Sequence, residues 1–286
     1  MLTLTFAEGE APPDARGGRE ANIWRDEHGQ ICARGFVAAS GRWMDCPGLG
    51  VFAFDARSTV VRAWPAPGTS RAEIDNRFTR TLQPPILQAM GWQALHASGI
   101  AGPDGAAAFC GVSGSGKSTL AYALGQWGFN QFADDGVVIR VGRDGVFAHP
   151  VPFAPKLRGV AARHFSLADP APIHAAPRHY LPLRIIFVVH QDARRACAVR
   201  IERVRATAAF LVLVSHAHSF DPDEPAMARQ FADDYLNVAG RVPVYSLRYH
   251  PDVARLAEVI DEVSIVAADL GVVPVHQEAC RAPAVP

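Results

Sequence analysis

A glycine-rich loop between an apolar segment and a helix-forming segment constrains the fold of this chain more than any other feature. The loop runs from Gly111 to Thr119 and fits the pattern G-x-x-x-x-G-K-[ST] of a phosphate-binding loop, or P-loop. Residues 106–110 before it form a short apolar run typical of a buried strand, and residues 120–124 after it continue as a helix. The order of strand, loop and helix predicts an α/β domain.

The residue types in the loop point to a nucleoside triphosphate as ligand. Its glycines allow successive backbone N–H groups to face phosphate oxygens, and the helix that follows directs the positive end of its dipole to the same place. Lys117 adds a positive charge for the outer phosphates, and Ser118 offers a hydroxyl to Mg²⁺. A chance match in a Gly/Ser-rich loop is the alternative, and the flanking segments argue against it. The predicted ATP- and Mg²⁺-binding residues are Ser113, Gly114, Ser115, Gly116, Lys117, Ser118 and Thr119.

The charge balance argues against a polyanionic partner. The 286 residues include 28 Lys and Arg and 28 Asp and Glu, so the formal net charge is zero. Without a global positive field, the chain is not expected to gather nucleic acid or an anionic membrane surface. We therefore expect neither nucleic-acid binding nor membrane binding.

Cysteine usage and the amino-terminal residues predict a cytoplasmic protein. The five cysteines are scattered and form no C-x-x-C pair, which argues against a disulfide framework and a zinc site. The first ten residues contain acidic side chains and lack the basic and apolar segments of a signal peptide, and no later apolar run is long enough to span a bilayer.

The pattern along the chain predicts two parts, a small β-rich N-terminal lobe over residues 1–83 and a P-loop domain over residues 84–286. Short apolar segments broken by Gly, Pro and Asp extend to about Trp64, and Pro84-Pro85 stands where a helix can begin. Further on we predict paired strands at 183–189 and 196–201, helices at 205–216, 224–238 and 252–260, and a strand at 242–249.

An Asp pair follows the loop and its helix. Asp134 and Asp135 come directly after the strand-like residues 129–132. A crossover that returns this strand to the same sheet places the pair at the edge where the loop opens. One carboxylate would then hold Mg²⁺, and the other would accept a proton from an incoming hydroxyl. We assign the base to Asp134 and the metal to Asp135 with Ser118; a solvated Asp-Asp turn is the alternative.

Other candidates flank these segments. His96 lies on the segment predicted to pair with the strand before the loop, so it is either a third catalytic residue or a satisfied core histidine. Lys156 and Arg158 lie on a proline-braced loop, where they either hold the acceptor or a phosphate or are ordinary solvated charges. Further candidates in the stretch after this loop are Arg163, His164, Arg178 and His179.

Three segments together resemble the HPr kinase family, in particular the shorter HPr-kinase-related proteins that include lasso-peptide precursor kinases. They are residues 95–98, residues 111–119 and residues 133–135. The resemblance covers roughly residues 84–262 and is most specific in this central block. It implies a fold akin to phosphoenolpyruvate carboxykinase and transfer of the γ-phosphate of ATP to a serine of a protein or peptide. It also implies site roles for His96, Lys117, Ser118, Asp134 and Asp135.

Two departures from HPr kinases proper leave HPr itself as acceptor, and the reverse phosphorylase reaction, open. Thr119 stands where those kinases usually carry an acidic residue. Their Glu-Ile-Arg-Gly signature has only a faint echo in residues 156–159. The acceptor and any homo-oligomeric state are likewise not decided by the sequence.

Other functions fit the residues less well or remain open. An ABC-type ATPase needs a Ser-Gly-Gly-Gln-type signature, and a GTPase needs an Asn-Lys-x-Asp motif; neither occurs in the chain. A kinase for a small-molecule hydroxyl on the same scaffold and a non-catalytic nucleotide-binding module both remain possible readings of the loop and the Asp pair.

Overall fold

The computed structural model describes residues 2–12, 17–26, 28–166, 180–194 and 199–275. The chain forms two compact units, one of Met1–Ala94 with His218–Ala232 and one of Leu95–Ala217 with Asp233–Pro286. The assignment of residues 1–83 and 84–286 to a lobe and a kinase domain stays a prediction. Within the described residues, none of the helices combines the length and apolar character needed to cross a membrane.

The first unit contains a six-stranded sheet, which confirms the β-rich N-terminal part. Its order is β1-β6-β5-β4-β3-β2; β1 pairs parallel with β6, and the other neighbours are antiparallel. The strands are β1 (Thr3–Phe6), β2 (Arg19–Arg25), β3 (Ile31–Ala38), β4 (Gly41–Cys46), β5 (Gly50–Phe54) and β6 (Val60–Pro65).

Helical turns follow this sheet. Helix α1 (Arg71–Arg77) begins with a capping box in which Ser70 and Glu73 each accept a backbone hydrogen bond from the other. A π-helical turn (Phe78–Leu82) leads into α2 (Gln83–Ala89). Proline residues occupy the first turn of α2, where a missing N–H costs no hydrogen bond, as the sequence predicts.

The second unit is a mixed α/β structure. Its chain continues from β7 (Gln93–Leu95), and its sheet order includes β10-β8-β9-β13-β12-β11, with β15 pairing with β13 and β14. The strands are β8 (Ala97–Ala101), β9 (Ala106–Cys110), β10 (Asn130–Ala133), β11 (Val137–Val141), β12 (Val146–His149), β13 (Leu181–Gln191), β14 (Val199–Arg203) and β15 (Val244–Tyr249). The helices are α3 (Lys117–Gln126), α4 (Gly159–His164), α5 (Ala206–Ser215) and α7 (Leu256–Ala268), together with the part of α6 (Pro225–Arg241) that begins at Asp233.

Strand direction brings the predicted site segments to one edge. Strand β8 is antiparallel to β9, with Ala97 opposite Cys110, so the start of β8 lies beside the end of β9. Strand β10 is antiparallel to β8 and therefore runs in the same direction as β9. The loop after β9, His96 before β8 and the Asp pair after β10 consequently share the carboxyl edge of the sheet.

One predicted pairing is wrong. The strands expected at 183–189 and 196–201 are not partners, because β15 lies between them, parallel to β13 and antiparallel to β14. The prediction assumed that strands adjacent in sequence pair as a hairpin. In the structure β15, which is longer and more apolar than β14, packs between β13 and β14.

The core of the second unit lies under α3 and α7. Phe109 of β9 stacks on Phe187 of β13 with ring centroids 5.3 Å apart. Leu120 and Leu124 of α3 and Val263 of α7 are fully buried against the same cluster. Burial of apolar surface on this scale is the main stabilising term for the sheet and so fixes the strand ends that carry the candidate site.

Candidate active site

The loop between β9 and α3 has a backbone that requires glycine at two positions. Gly116 has φ +95°, and a Cβ there would overlap the hydroxyl of Tyr249. Gly111 has φ +151°, and a Cβ there would lie 2.7 Å from the carbonyl oxygen of Val189. Both values lie in the region that L side chains rarely adopt, so the glycines at these places follow from the local structure.

A buried tyrosine supports this loop from the sheet. The Tyr249 hydroxyl donates a 3.1 Å hydrogen bond to the carbonyl of Ser115 and accepts one of 3.1 Å from Gln191 Nε2. Burial raises the pKa of Tyr249, so the phenol keeps its proton and acts as the donor near neutral pH. Sequence reasoning missed Tyr249 and Gln191, because their proximity depends on the pairing of β13 with β15.

Lys117 is folded onto its own loop. Its Nζ donates hydrogen bonds of 2.9 Å to the carbonyl of Gly111 and 3.0 Å to that of Val112, and the residue is only 6% exposed. Burial lowers the pKa of Lys117, while the charge of Asp135 raises it in part. A cation held on backbone carbonyls at a loop of this shape is placed to meet an anion.

The remaining loop residues divide between the loop tip and the helix. Ser113 and Gly114 are exposed, and Ser118 and Thr119 are half-buried in the first turn of α3. Ser115 is buried, and among the described residues its Oγ has no hydrogen-bond partner. A buried hydroxyl that lacks a partner costs free energy unless another group satisfies it.

Asp134 is buried, and both of its carboxylate oxygens accept hydrogen bonds. Its Oδ1 accepts hydrogen bonds of 2.5 Å from Ser98 and 2.7 Å from Ser118, and its Oδ2 accepts one of 2.7 Å from the backbone N–H of Lys156. Burial raises the pKa of Asp134, and these three hydrogen bonds oppose that shift. Ser98 had no role in the sequence prediction, although it lies in the segment 95–98 that contributes to the resemblance to HPr kinases.

Asp135 is more accessible and has a strained backbone. Its φ is +65°, which is uncommon for a residue other than glycine, and its side chain is 31% exposed. Oδ1 lies 3.3 Å from His96 Nδ1, and Oδ2 lies 3.3 Å from Lys156 Nζ. Strain of this kind persists where the surrounding contacts over-determine it and is concentrated at functional sites.

His96 lies beside Asp135 and is also close enough to Lys117 to be affected by its positive charge. Its Nδ1 is also 3.3 Å from the backbone oxygen of Asp135. Burial lowers the pKa of His96 first, repulsion from Lys117 lowers it further, and attraction to Asp135 opposes both. The imidazole is therefore neutral at pH 7, where it can donate or accept a hydrogen bond but carries no charge.

Two further histidines lie close to this group and were not predicted. The carbonyl of His216 accepts a 2.8 Å hydrogen bond from the backbone N–H of His96. Burial lowers the pKa of His216 first, followed by repulsion from Lys117, His96 and His190. His190, near the carboxyl end of β13, has its pKa lowered by burial and by Arg248 opposite it in the sheet. Imidazoles therefore accompany Lys117 at this edge without adding positive charge at pH 7.

The proline-braced loop meets the Asp pair through Lys156, whose backbone and side chain contact one carboxylate each. Arg158 is the N-cap residue of the short helix α4, and Arg163 and His164 lie in the last turn of that helix. Arg178 and His179 lie outside the described residues. The structure thus brings together His96, Lys117, Ser118, Asp134, Asp135 and Lys156.

The donor set fits Mg²⁺ better than a transition metal. Across the described ranges, no group of three or more His, Cys, Asp or Glu side chains has the arrangement of a metal site. The oxygens of Ser118 and of the Asp pair are hard ligands. Mg²⁺ accepts such oxygen ligands and is commonly bound through one or two carboxylates together with substrate phosphates.

Comparisons with known proteins give little. No protein-family model matches this chain, and no curated protein is significantly similar to it. Among solved structures, the HPr(Ser) kinase/phosphatase from Coxiella burnetii is similar over 62% of this chain and 93% of that chain, with 13% sequence identity and a TM-score of 0.34. A likeness of this size assigns neither an activity nor a substrate.

Proposed function

We propose that this chain is an ATP- and Mg²⁺-dependent phosphotransferase of the HPr-kinase-like type, which transfers the γ-phosphate to the hydroxyl of a serine in a protein or peptide. One observation carries the proposal: the Ser118 hydroxyl of the predicted P-loop is hydrogen-bonded to Asp134 while the adjacent, accessible Asp135 contacts His96. A metal-side carboxylate and an acceptor-side carboxylate next to a P-loop are the parts that phosphoryl transfer needs.

The residues of the loop would bind and orient the nucleotide. ATP would supply the phosphoryl group, and Mg²⁺ would neutralise charge on its phosphates. Backbone N–H groups at positions 113–118 and the ammonium of Lys117 would stabilise the developing negative charge, an effect that grows in a partly buried site. Lys117 would exchange the carbonyls of Gly111 and Val112 for phosphate oxygens.

The geometry favours the opposite division of labour from that assigned on sequence. Asp134 shares its Oδ1 between Ser98 and Ser118, is nearly inaccessible and so suits the metal side with Ser118. Asp135 has an accessible carboxylate and suits the general base that takes the proton of the acceptor hydroxyl. Under this proposal His96 orients Asp135 through its neutral imidazole.

Lys156 fits a positioning role in this scheme. Its backbone N–H fixes Asp134, and its ammonium lies 3.3 Å from the carboxylate of Asp135. Because it contacts both carboxylates, it ties the proline-braced loop to the site. Arg158, which is exposed at the N-cap of α4, stays the candidate for holding the acceptor.

Calorimetric titration with MgATP, combined with an assay of ADP formation, tests the proposal. The wild type should bind MgATP and form ADP slowly with water as acceptor. Screening seryl peptides and small hydroxyl compounds with labelled ATP should find a hydroxyl acceptor, and ADP formation should be faster in its presence. Lys117→Met should remove binding and turnover, while the surface control Arg200→Gln should change neither. Binding without any phosphate transfer would leave a nucleotide-binding module, and no binding at all would refute the P-loop assignment. Transfer to small hydroxyl compounds alone would make the protein a metabolite kinase.

A further inference from the structure

A second concave site lies in the second unit, away from the carboxyl edge of the sheet. It is a cleft of about 350 Å³ lined by residues 203–206, at the end of β14 and the start of α5, and by residues 239–244, at the end of α6 and the start of β15. We call it the arginine cleft, because Arg203, Arg205 and Arg241 line it.

The arginine cleft is at the opposite end of the strands from the candidate active site. Arg203 is paired with Tyr245 near the start of β15, and the backbone N–H of Val204 donates a 2.8 Å hydrogen bond to the carbonyl of Val244. Strands β9 and β15 both run parallel to β13, and the glycine loop follows the carboxyl end of β9. A strand of this length spans roughly 20 Å, so one small ligand cannot occupy both places.

Among the described residues that line the cleft, three are arginines and none is acidic, so the charge that they contribute is positive. Within the ranges that the structure describes, the guanidinium groups of Arg203 and Arg205 make no hydrogen bond or ion pair. Glu202, the neighbouring acid, faces the other side of β14 by strand alternation and pairs there with Arg200.

Arg241 is held in place before any ligand arrives. Its two terminal nitrogens donate hydrogen bonds of 2.7 Å to the carbonyl of Gly142 and 2.8 Å to that of Arg143, in the turn between β11 and β12. The buried apolar residues Ala239, Val242 and Val244 also line the cleft. A cation that is already held in place lowers the ordering cost of binding an anion.

We propose that the arginine cleft binds a small phosphate-bearing anion, at a site separate from that of ATP. Guanidinium groups match the geometry of phosphate oxygens and bind them in a bidentate manner. Three arginines in a cleft of this volume suit a ligand with one or two phosphate groups. The zero net charge of the chain does not favour a long polyanion. This inference does not depend on the proposed kinase activity.

Pyrophosphate is the probe that tests the cleft. Calorimetry should find two sites for pyrophosphate in the wild type and one in Lys117→Met. The variant with Arg203→Gln and Arg205→Gln should bind pyrophosphate in the cleft at least about tenfold more weakly, because each lost hydrogen bond is to a charged group. Only the site that Lys117 serves should then keep its affinity. Arg200→Gln is the matched control: it removes the same charge from the same strand on the opposite face and should keep both sites.

Two outcomes would overturn the inference, namely equal pyrophosphate binding by the double arginine variant and by Arg200→Gln, or complete loss of pyrophosphate binding in Lys117→Met. The second result would leave the ATP site intact as a proposal. A thermal unfolding curve for each variant identifies any misfolded protein. If Lys117→Met proves misfolded, the stoichiometry of the wild type against the double arginine variant still decides the question.

Discussion

The hydroxyl of Ser118 donates a 2.7 Å hydrogen bond to Oδ1 of Asp134. This contact joins the first turn of α3 to the end of β10, two segments separated by one helix and one strand in sequence. Ser98, at the edge of β8, donates to the same oxygen. The carboxylate is thereby fixed beside the loop on which the proposed phosphate site rests, whereas Asp135 next to it retains an exposed face.

The two aspartates are expected to have separable roles. Asp135→Asn removes the proposed base and should lower kcat by about 10² to 10⁴ with little change in MgATP affinity. Asp134→Asn should weaken MgATP binding and raise the Mg²⁺ concentration needed for half-maximal rate. Steady-state kinetics over a Mg²⁺ series, with calorimetry for MgATP, make the comparison. Exchanged phenotypes would restore the sequence-based assignment, and wild-type turnover in both variants would make the pair structural.

Lys156 and Arg158 provide a second separable pair. Lys156→Met removes the ammonium beside Asp135 but keeps the backbone N–H that binds Asp134. Because Lys156 is proposed to position Asp135, kcat should fall while the acceptor KM stays within about twofold. Arg158→Met should instead raise the acceptor KM at constant kcat. Initial rates at varied acceptor and saturating MgATP distinguish the two. If Lys156→Met raises only the acceptor KM, Lys156 belongs to the acceptor site as first predicted.

Much of the candidate site was predictable because its signals are local. The glycine loop, the helix after it and the Asp pair are contiguous segments, and the order of elements places their ends at one edge of a sheet. Ser98 and Tyr249 were not predictable in this way. Each contacts the site through side chains that are distant in sequence, and a single hydroxyl in an apolar strand carries no pattern of its own.

The pairing of β14 shows the same limit on the scale of the fold. The sequence contains the strand residues of β13, β14 and β15, but alternation alone does not say which edges meet. Leu247 of β15 is fully buried and lies beside Val189 of β13 and Ile201 of β14. Packing of the buried central strand decides the order, and that choice also places Tyr249 under the glycine loop.

The support that Tyr249 gives the loop is open to a direct test. Tyr249→Phe removes the hydrogen bonds to Ser115 and Gln191 but keeps the ring, so the free energy of unfolding should fall by about 1 kcal/mol. MgATP affinity should fall several-fold while the acceptor KM is unchanged. Tyr245→Phe on the same strand is the control and should leave MgATP affinity as in the wild type. Equal affinities in the two variants would show that the glycines alone hold the loop.

Acid should destabilise the protein through His149, which contacts Tyr180 with ring centroids 5.2 Å apart. Burial lowers the pKa of His149 from 6.5 to about 4. Between pH 6.5 and 4 the unfolded chain binds a proton at this residue that the folded protein does not, so stability falls as pH decreases through this window. Below about pH 4 both states carry the proton, and the loss from this group is complete.

Urea unfolding at pH 7.5, 6.5, 5.5 and 4.5 measures this loss. His149→Gln cannot titrate, so its stability should depend less on pH across the window than that of the wild type. His28→Gln, at an exposed position, is the control and should follow the wild type. Part of the acid loss should survive in His149→Gln, because the pKa values of His96, His190 and His216 are lowered as well. Superimposable pH profiles for His149→Gln and the wild type would mean that the pKa of His149 is the same in the folded protein as in the unfolded chain.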